Sequence, residues 1–551
     1  MLRELLHSRS RRRARIAGAA LAAGVAAALS LPPWGLWPLA LVATAAIYRL
    51  LAGHRSRARA VIGLVYGIGM LAPGLFWALS FSVPGGIVLI IAESCFVAAG
   101  AVLVPRFRGR IPGFAAAMTL AEAARCTWPF GGLPLGGIAL GQAAGPLAPT
   151  ARIGGEWLIV ALVYLAGAGI AEVAAAASCW ARMPDQLRKL FATPAALGSP
   201  ATGTAEAPGD STDAAGERTT ARRFSPLWSG AIALGAVLAV GGLAAVAPNG
   251  GHSIGKVHVA AVQGGGKRGF SMFQVNPATV YAAQVQATRQ LERVTARKPV
   301  KLVLWPEDTI ALDGPLTGSF QEAELGHLAR RLDATIAAGV TEPVGSTRFL
   351  NKIVAWSPAG KVIGHFEKVH RVPFGEYVPY RSFFSHLGSL AAVPRNAIPG
   401  HGSGLLRTPA GPIGIMVSYE VFFPDRARSS VRAGAELLVV PTNTSSYSTS
   451  QVPTQEIAAS RLRAIEEGRD LLQAAPTGYS AAITHNGQLL ARSVLGRRQL
   501  IIRTLSLRRG KTIYERLGDP PVIILSIAAL AAGQISDRLF RRRRRTRAAV
   551  A

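Results

Sequence analysis

The first half of the chain is a series of long apolar runs, whereas the second half alternates short apolar runs with charged residues. Apolar segments long enough to cross a bilayer extend over residues 16–31, 35–51, 60–81, 85–104, 112–128, 157–180, 227–247 and 521–535. Strand patterns cover 257–263, 301–305, 335–341, 353–357, 362–368, 413–417, 437–442, 471–475 and 500–504. Helical patterns cover 278–297, 320–332 and 454–467. We therefore expect a polytopic α-helical membrane bundle of about eight spans and an α/β domain with a layered core.

These patterns divide the chain into six regions. A membrane bundle with six spans is predicted over 1–183, and a flexible cytoplasmic linker rich in Ala, Thr, Gly, Pro and Ser over 184–223. The remaining regions are a seventh span over 224–250, a globular domain over 255–507, an eighth span over 520–537 and a basic tail over 538–551.

The formal net charge of +30 is concentrated beside the apolar runs. Arginines cluster at 9–15, before the first run, and at 541–545, after the last one. Such flanking charge follows the positive-inside rule, so it predicts that both termini are cytoplasmic and that the globular domain faces away from the cytoplasm. A cleaved signal peptide is the alternative for the first run, but further spans follow at once and favour an uncleaved helix. No module for nucleic acid accompanies the charge, so we expect no nucleic-acid partner.

Ionisable residues also occur within the membrane half. Glu93, Glu122 and Glu172 lie inside predicted spans, where they either line a polar path or form hydrogen bonds between helices. The three cysteines, Cys95, Cys126 and Cys179, are all in this half, and neither they nor the histidines have metal-ligand spacing. We therefore expect no metal and no cofactor.

Three strand patterns of the globular domain end in residues suited to chemistry. LVLWPED ends at Glu307, VIGHFEKVH carries Lys368, and GIMVSYEVFFPD carries Ser418. Because open α/β sheets place their chemistry at the carboxyl ends of strands, a carboxylate, an amine and a hydroxyl are predicted to meet in one pocket.

The motifs WPED, FEKVHRVPFGEYVP and SYEVFFPD, together with the spans in this order, resemble the apolipoprotein N-acyltransferase family of the carbon-nitrogen hydrolase (nitrilase) superfamily. The resemblance implies a nitrilase-like α-β-β-α sandwich on the extracytoplasmic side of the bacterial cell membrane. It implies transfer of an acyl chain from a phospholipid to the N-terminal diacylglyceryl-cysteine amine of apolipoproteins. In the implied site Glu307 is the general base, Lys368 stabilises the oxyanion and position 418 is the nucleophile. Glu376, Glu420, Tyr419 and Trp305 support them.

The chain departs from this family at the nucleophile, where the family has cysteine and this sequence has Ser418. A hydroxyl is a weaker nucleophile than a thiol and needs more help from a base. Three interpretations remain open: a working serine that forms an ester intermediate, a retired site kept as a scaffold, or an introduced substitution that traps substrate. Looser matches occur at 443–447 (NTSSY) and 262–270 (VQGGGKRGF).

Structural alternatives accompany each assignment. Glu307 and Lys368 can form a purely structural ion pair, Glu420 can pair with Arg426 at the surface, and Trp305 and Tyr419 can be packing residues. The aromatic segment 374–399 is interpreted as a mobile lid on the lipid surface, with a small apolar cluster under a loop as the alternative. The competing functions are a retired homologue that binds lipoproteins, a membrane-tethered amidase and, with least support, a transporter.

Overall fold

The structure of the protein is a computed structural model. It describes residues 2–80, 82–182, 213–266, 275–384, 393–447 and 450–550. Most of the predicted linker over 184–223 lies outside these residues, and its described part, from Asp213 onward, is helical.

Helices overlap all eight apolar segments of the sequence. Their bounds are α1 Leu2–Leu29, α2 Pro38–Leu50, α3 Ser56–Leu75, α4 Val83–Leu103, α5 Arg110–Arg125, the single turn α6 Ile138–Gly141, α7 Ala151–Ala181 and α8 Asp213–Val246, with α15 Pro520–Val550 at the end of the chain. Among the described residues, five helical segments are long and apolar enough to cross a membrane: 56–80, 83–103, 148–181, 226–246 and 520–547. Helix α2 has 13 residues and α5 has 16, fewer than the roughly 20 that a membrane needs. Apolar helices compatible with spans are thus confirmed, while the count of eight spans stays a prediction.

In the membrane half, Glu93 and Glu172 contact neighbouring helices, and Glu122 pairs within its own helix. Arg125 forms ion pairs with Glu122 at 2.9 Å and with Glu93 of α4 at 3.3 Å. Glu172 of α7 accepts a hydrogen bond of 2.6 Å from Tyr48 of α2. These contacts fit the interpretation of polar contacts between helices, since charges in lipid are stable only when they are paired.

The globular domain is built from two β-sheets. Its strands are β1 Ser253–Gln263, β2 Leu302–Leu304, β3 Ile310–Ala311, β4 Thr335–Val344, β5 Arg348–Trp356, β6 Val362–Glu367, β7 Asn396–Ala397, β8 Leu405–Thr408, β9 Gly411–Ile415, β10 Leu437–Pro441, β11 Leu471–Ala474, β12 Ala481–Ile483, β13 Leu489–Arg492 and β14 Gln499–Arg508. Its helices are α9 Pro277–Val294, α10 Phe320–Leu332, α11 Arg381–Phe384, α12 Pro424–Arg432, α13 Val452–Glu467 and α14 Ile513–Leu517.

The first sheet has the order β14-β1-β2-β4-β5-β6, with β3 beside β4 and β7 beside β5. The second has the order β13-β12-β11-β10-β9-β8. Each sheet has a parallel centre, β1-β2-β4 in the first and β9-β10-β11 in the second. Antiparallel strands flank both centres. Because α/β sheets place their chemistry at the carboxyl ends of parallel strands, a site is expected at the ends of β2, β9 and β10.

Three apolar cores separate the layers. One core lies between the sheets and contains Val259 and Leu304 from the first and Ile413 and Val439 from the second. Another packs helices α9 and α10 onto the first sheet, and the third joins α12 and α13 to the second sheet. The domain is therefore the predicted α-β-β-α sandwich.

The third core continues into the membrane bundle, so the domain rests on the helices through its α13 side. Polar contacts reinforce this junction. Arg463 of α13 forms an ion pair of 2.9 Å with Glu156 of α7, and the backbone N–H of Gly136 donates to Gln455 at 2.8 Å. The second sheet and the loops of the bundle are therefore held together by buried contacts.

Candidate active site

The three residues predicted from strand ends all follow strands of the sandwich. Glu307 lies in the turn after β2, Lys368 directly follows β6, and Ser418 begins the 3-10 helix Ser418–Phe422 after β9. Strands β2 and β6 belong to the first sheet and β9 to the second. The site therefore lies between the two sheets.

Lys368 joins two carboxylates in the centre of the site. Its Nζ donates to Oε1 of Glu307 at 2.8 Å and to Oε1 of Glu376 at 2.9 Å. Asn351 of β5 donates from Nδ2 to the same two oxygens, at 2.8 and 2.9 Å. Lys368 is 2% exposed and Glu307 is 3% exposed, so these groups interact away from bulk water.

The pKa values follow from burial and from two carboxylates sharing one ammonium. Burial raises the pKa of Glu307 to about 7, against the opposing charge of Lys368, and the charges of Asp308 and Glu376 raise it further. Burial alone would lower the pKa of Lys368, but Glu307 and Glu376 raise it above its ordinary value. A lysine that stays charged beside a carboxyl that exchanges a proton near neutral pH suits oxyanion stabilisation and general-base catalysis.

Ser418 occupies a sharp turn between β9 and its 3-10 helix. Its φ of 51° is in the left-handed region, which is unusual for a residue with a side chain. Its Oγ lies 3.1 Å from the hydroxyl of Thr442, which follows β10, and that hydroxyl also forms a hydrogen bond with Oε1 of Glu456 on α13. The hydroxyl of Ser418 is thus held by the second sheet, while the lysine and the carboxylates come from the first.

Glu420 ties the lysine segment to the serine turn. Its Oε1 accepts hydrogen bonds from the N–H groups of Val369 (2.7 Å) and His370 (3.1 Å), and its Oε2 accepts one from Val417 at 2.8 Å. Because Val369 follows Lys368 and Val417 precedes Ser418, this one carboxylate fixes both segments. Glu420 and Arg426 lie 3.6 Å apart, but Glu420 is fully buried. The alternative that this pair lies on the surface is therefore wrong.

Gly339 of β4 lets the Glu307 turn approach the sheet. A Cβ at this position would lie 2.6 Å from Cα of Glu307 and 2.4 Å from the carbonyl oxygen of Pro306. The N–H of Gly339 also donates to that carbonyl, at 3.2 Å. Glycine is therefore required here for the position of Glu307.

The predicted aromatic residues lie at the edges of this network. Trp305 packs in the core under α9 and donates from Nε1 to Thr288 at 2.9 Å, so its indole belongs to the helix-facing layer. Tyr419 donates from its hydroxyl to the carbonyl of Gly132 in the bundle at 3.0 Å. The structure gives both residues packing contacts, and Tyr419 joins the site to the membrane half.

Aromatic side chains form a partly exposed surface between the two halves, made of Trp128, Phe130, Phe374, Tyr380 and Phe383. Within this aromatic surface, Phe130 contacts Phe374 and Tyr380 edge to face, with ring centroids 6.2 and 6.1 Å apart. Nearby, Trp77 of the bundle contacts Tyr447, whose pKa is raised by burial and by the charges of Glu376 and Glu307. Residues 385–392 of the predicted lid lie outside the described residues, so the lid stays a prediction.

Sequence reasoning missed Asn351, Thr442 and Glu456. Asn351 is a buried amide within strand β5, and a single polar residue in a strand pattern does not reveal which carboxylates it meets. The predicted strand 437–442 includes Thr442, and the predicted helix 454–467 includes Glu456. Their connection to Ser418 depends on the packing of α13 against β10, which the sequence does not show. In the part of the chain that the structure describes, no group of three or more His, Cys, Asp and Glu side chains is arranged to hold a metal ion.

Comparison with known proteins relates both halves to one family. Residues 23–169 match the model of the apolipoprotein N-acyltransferase N-terminal domain, and residues 258–514 match the carbon-nitrogen hydrolase model. Among solved structures, a carbon-nitrogen hydrolase from Helicobacter pylori is 16% identical over 48% of this chain and 95% of its own, with a TM-score of 0.36. An amidase from Nesterenkonia sp. is 17% identical over 49% of this chain and 97% of its own, with a TM-score of 0.33.

Two relatives match along nearly the whole chain. The apolipoprotein N-acyltransferase of Mycolicibacterium smegmatis is 31% identical, covering 96% of this chain and 87% of the relative. That of Azotobacter vinelandii is 29% identical, covering 93% of both. The chain therefore belongs to the apolipoprotein N-acyltransferase family, a family of membrane acyltransferases with a carbon-nitrogen hydrolase domain.

Proposed function

We propose that this protein transfers an acyl chain from a phospholipid to the N-terminal diacylglyceryl-cysteine amine of apolipoproteins, in the bacterial cell membrane. The observation that carries the proposal is the buried contact of Lys368 with Glu307 and Glu376, tied by Glu420 to the turn that presents Ser418. An ammonium, a proton-accepting carboxyl and a nucleophile are the groups that acyl transfer through a covalent intermediate requires.

In the first half of the reaction, Glu307 accepts the hydroxyl proton of Ser418 as Oγ attacks the ester carbonyl of the phospholipid. The negative charge that develops on the carbonyl oxygen is stabilised by the Lys368 ammonium. When the tetrahedral intermediate collapses, the bond to the glycerol oxygen breaks and that oxygen takes the proton from Glu307. The products are a lysophospholipid and an ester between the acyl chain and Ser418.

In the second half, the amine of the diacylglyceryl-cysteine attacks this ester. Glu307 accepts a proton from the amine, and Ser418 leaves with a proton returned by Glu307. The acyl chain is thereby joined to the acceptor through an amide bond, and the enzyme returns to its starting state. Glu376 and Asn351 hold Lys368 and Glu307 in position during both halves.

The aromatic surface supports entry of both lipid substrates from the membrane. It lies where the globular domain meets loops of the bundle, and its exposed members include Trp128, 67% exposed, and Tyr380, 74% exposed. Aromatic residues prefer the interface between lipid and water. A phospholipid bound at this aromatic surface can extend an acyl ester toward the space between the two sheets.

The test is acyl transfer by the purified full-length protein from a phospholipid with a labelled acyl chain to a diacylated lipopeptide. We expect transfer by the native protein and its loss in Ser418→Ala, with Ser253→Ala, on an exposed strand end, as the matched control. Transfer only by Ser418→Cys would identify a retired site. Hydrolysis of a short soluble amide without lipid transfer would identify an amidase, and unchanged transfer by Ser418→Ala would refute the assigned nucleophile.

The proposed topology places both termini in the cytoplasm and the globular domain outside. It is tested in a variant whose three cysteines are replaced by serine, with one new cysteine at Ser253 or Thr546. A membrane-impermeant maleimide added to intact cells should label Ser253→Cys. Thr546→Cys should react only after permeabilisation, and the reverse pattern would contradict this orientation.

A further inference from the structure

Ser418 is connected through Thr442 to a carboxyl group, that of Glu456, which the mechanism above does not use. Its Oγ lies 3.1 Å from Oγ1 of Thr442, and Oγ1 is also hydrogen-bonded to Oε1 of Glu456. Thr442 is 0% exposed and Glu456 is 1% exposed. Within the described residues the other hydrogen bond of Glu456 comes from Nε2 of Gln473, at 3.3 Å, and no cation is paired with its carboxyl. A buried carboxyl without an ion-pair partner is costly unless it is neutral.

The contacts of Gln473 determine where a proton on Glu456 must lie. Nε2 of Gln473 donates to the carbonyl of Tyr479 at 2.9 Å, and its Oε1 accepts from Ser460 at 2.6 Å, so the amide orientation is fixed. Oε2 of Glu456, which faces this Nε2, is therefore an acceptor. The proton of a neutral Glu456 lies on Oε1 and points to Thr442.

The surroundings favour the neutral form. Burial raises the pKa of Glu456 to about 8, with a smaller contribution from the charge of Glu307, while the hydrogen bond from Thr442 and the charge of Lys368 oppose the rise. Glu307 and Lys368 are the charged groups that face it, and the ammonium of Lys368 remains charged throughout the neutral range. The carboxyl is therefore largely protonated at pH 7 and ionises above about pH 8.

The protonation of Glu456 sets the direction of the hydrogen bonds. A threonine hydroxyl has a single proton to donate. When Oε1 of Glu456 donates to Thr442, the proton of Thr442 is directed to Oγ of Ser418. When Glu456 is ionised, it attracts that proton itself and Ser418 loses its donor. A donor on Oγ stabilises the negative charge that this oxygen acquires as it gives up its proton.

We propose that protonated Glu456 is a positioning residue that keeps the Thr442 hydroxyl as a hydrogen-bond donor to Oγ of Ser418, and so supports a serine where the family has a thiol. The proposal rests on the proposed function, because it takes Ser418 as the nucleophile. The Ser418 proton still passes to Glu307, and Glu456 keeps its own proton throughout. Its role is to make the hydroxyl of Ser418 easier to deprotonate.

The test measures the reactivity of Ser418 without requiring lipid transfer. A fluorophosphonate with a long alkyl chain forms a bond between phosphorus and Oγ with release of fluoride, and the labelling rate of the full-length protein is followed from pH 6 to 10. We expect the native rate to rise as Glu307 ionises near pH 7 and to fall above about pH 8 as Glu456 ionises. Ser418→Ala should not be labelled.

Variants separate this role from a merely structural one. Glu456→Ala and Thr442→Val should each lower the labelling rate at pH 7 by about tenfold, as expected when one hydrogen bond to the reacting atom is lost. Glu456→Gln should restore the rate lost in Glu456→Ala, because an amide can donate to Thr442 and accept from Gln473. It should also abolish the fall above pH 8. Thr442→Ser should restore the rate lost in Thr442→Val.

The outcomes distinguish this proposal from the proposed function. Labelling with the expected pH dependence, but without phospholipid transfer, would support the role of Glu456 and refute the acyl transfer. A fall above pH 8 that persists in Glu456→Gln would overturn the proposal. The proposal would also be overturned if Glu456→Ala were labelled at the rate of the native protein, or if Ser418 were not labelled at any pH.

Discussion

Replacing Lys368 with methionine should destabilise the globular domain by an amount that increases with pH. Its Nζ lies 2.8 Å from Glu307 and 2.9 Å from Glu376, and both pairs are buried. Methionine keeps the length of the side chain but leaves two carboxylates facing each other with only the Asn351 amide between them. Removing one partner of a buried ion pair typically costs about 3–5 kcal/mol.

The pH dependence follows from Glu307. Its pKa, about 7 in the folded protein, is already above the ordinary value, and removing the positive charge of Lys368 raises it further. A carboxyl with a raised pKa in the folded state contributes most stability below its unfolded pKa and loses that contribution as pH rises through the folded pKa. The cost of Lys368→Met should therefore be larger at pH 8 than at pH 5 by up to about 1.4 kcal/mol, the linkage of one proton over the single pH unit above the native pKa of Glu307. In the native protein, Lys368 is charged between pH 5 and pH 8 in both the folded and the unfolded state. Its own titration therefore does not change the free energy of unfolding over this range.

The assay is thermal unfolding of the purified full-length protein at pH 5 and pH 8. A cost of about 4 kcal/mol corresponds to a decrease of about 12 °C in a domain of this size. The control is Lys301→Met, because Lys301 is 52% exposed and its pair with Asp333 should contribute no more than about 1 kcal/mol at either pH. Equal losses at pH 5 and pH 8 in Lys368→Met would refute this reasoning, as would a small loss at both.

Two further predictions concern the positions of the catalytic segments. Glu420→Gln should lower the melting temperature by about 5–10 °C and reduce acyl transfer, because an amide cannot accept all three backbone hydrogen bonds. Glu367→Gln, on the partly exposed end of β6, should change neither quantity. Gly339→Ala should reduce acyl transfer at least about tenfold by displacing Glu307, whereas Gly255→Ala, whose new Cβ would have its nearest neighbour at 3.7 Å, should leave transfer unchanged. Normal transfer by Gly339→Ala would show that the turn can shift at no cost.

The sequence allowed the layered fold to be predicted, and also that Glu307, Lys368 and Ser418 each follow a strand, because these features depend on local patterns. An apolar run that ends in a charged residue indicates a strand delivering a side chain, as at Glu307 and Lys368. Short or irregular strands such as β3 and β7 were missed, because two residues carry no periodic signal. Helix α12, with the polar sequence PDRARSSVR, was also missed, because its polar residues mask the buried positions Ala427 and Val431.

Partners that depend on tertiary packing were not predicted. Glu420 was predicted to support the site, with a surface pair to Arg426 as the alternative, but the two chain segments whose N–H groups donate to its carboxylate were not predicted. Glu456 reaches the Thr442 hydroxyl, which contacts Ser418, only because the fold brings α13 to the residue that follows β10. A glutamate in an amphipathic helix gives no sign of being neutral, since its environment comes from strands far away in sequence.

The most direct test of the central claim is the mass of the peptide that contains Ser418 after incubation of the full-length protein with a phospholipid of known acyl composition. The account predicts an added acyl group on Ser418, held as an ester that resists neutral hydroxylamine and is transferred when a diacylated lipopeptide is added. It also predicts no adduct in Ser418→Ala or Glu307→Gln. An unmodified Ser418 under conditions in which the lipopeptide becomes acylated would contradict the account.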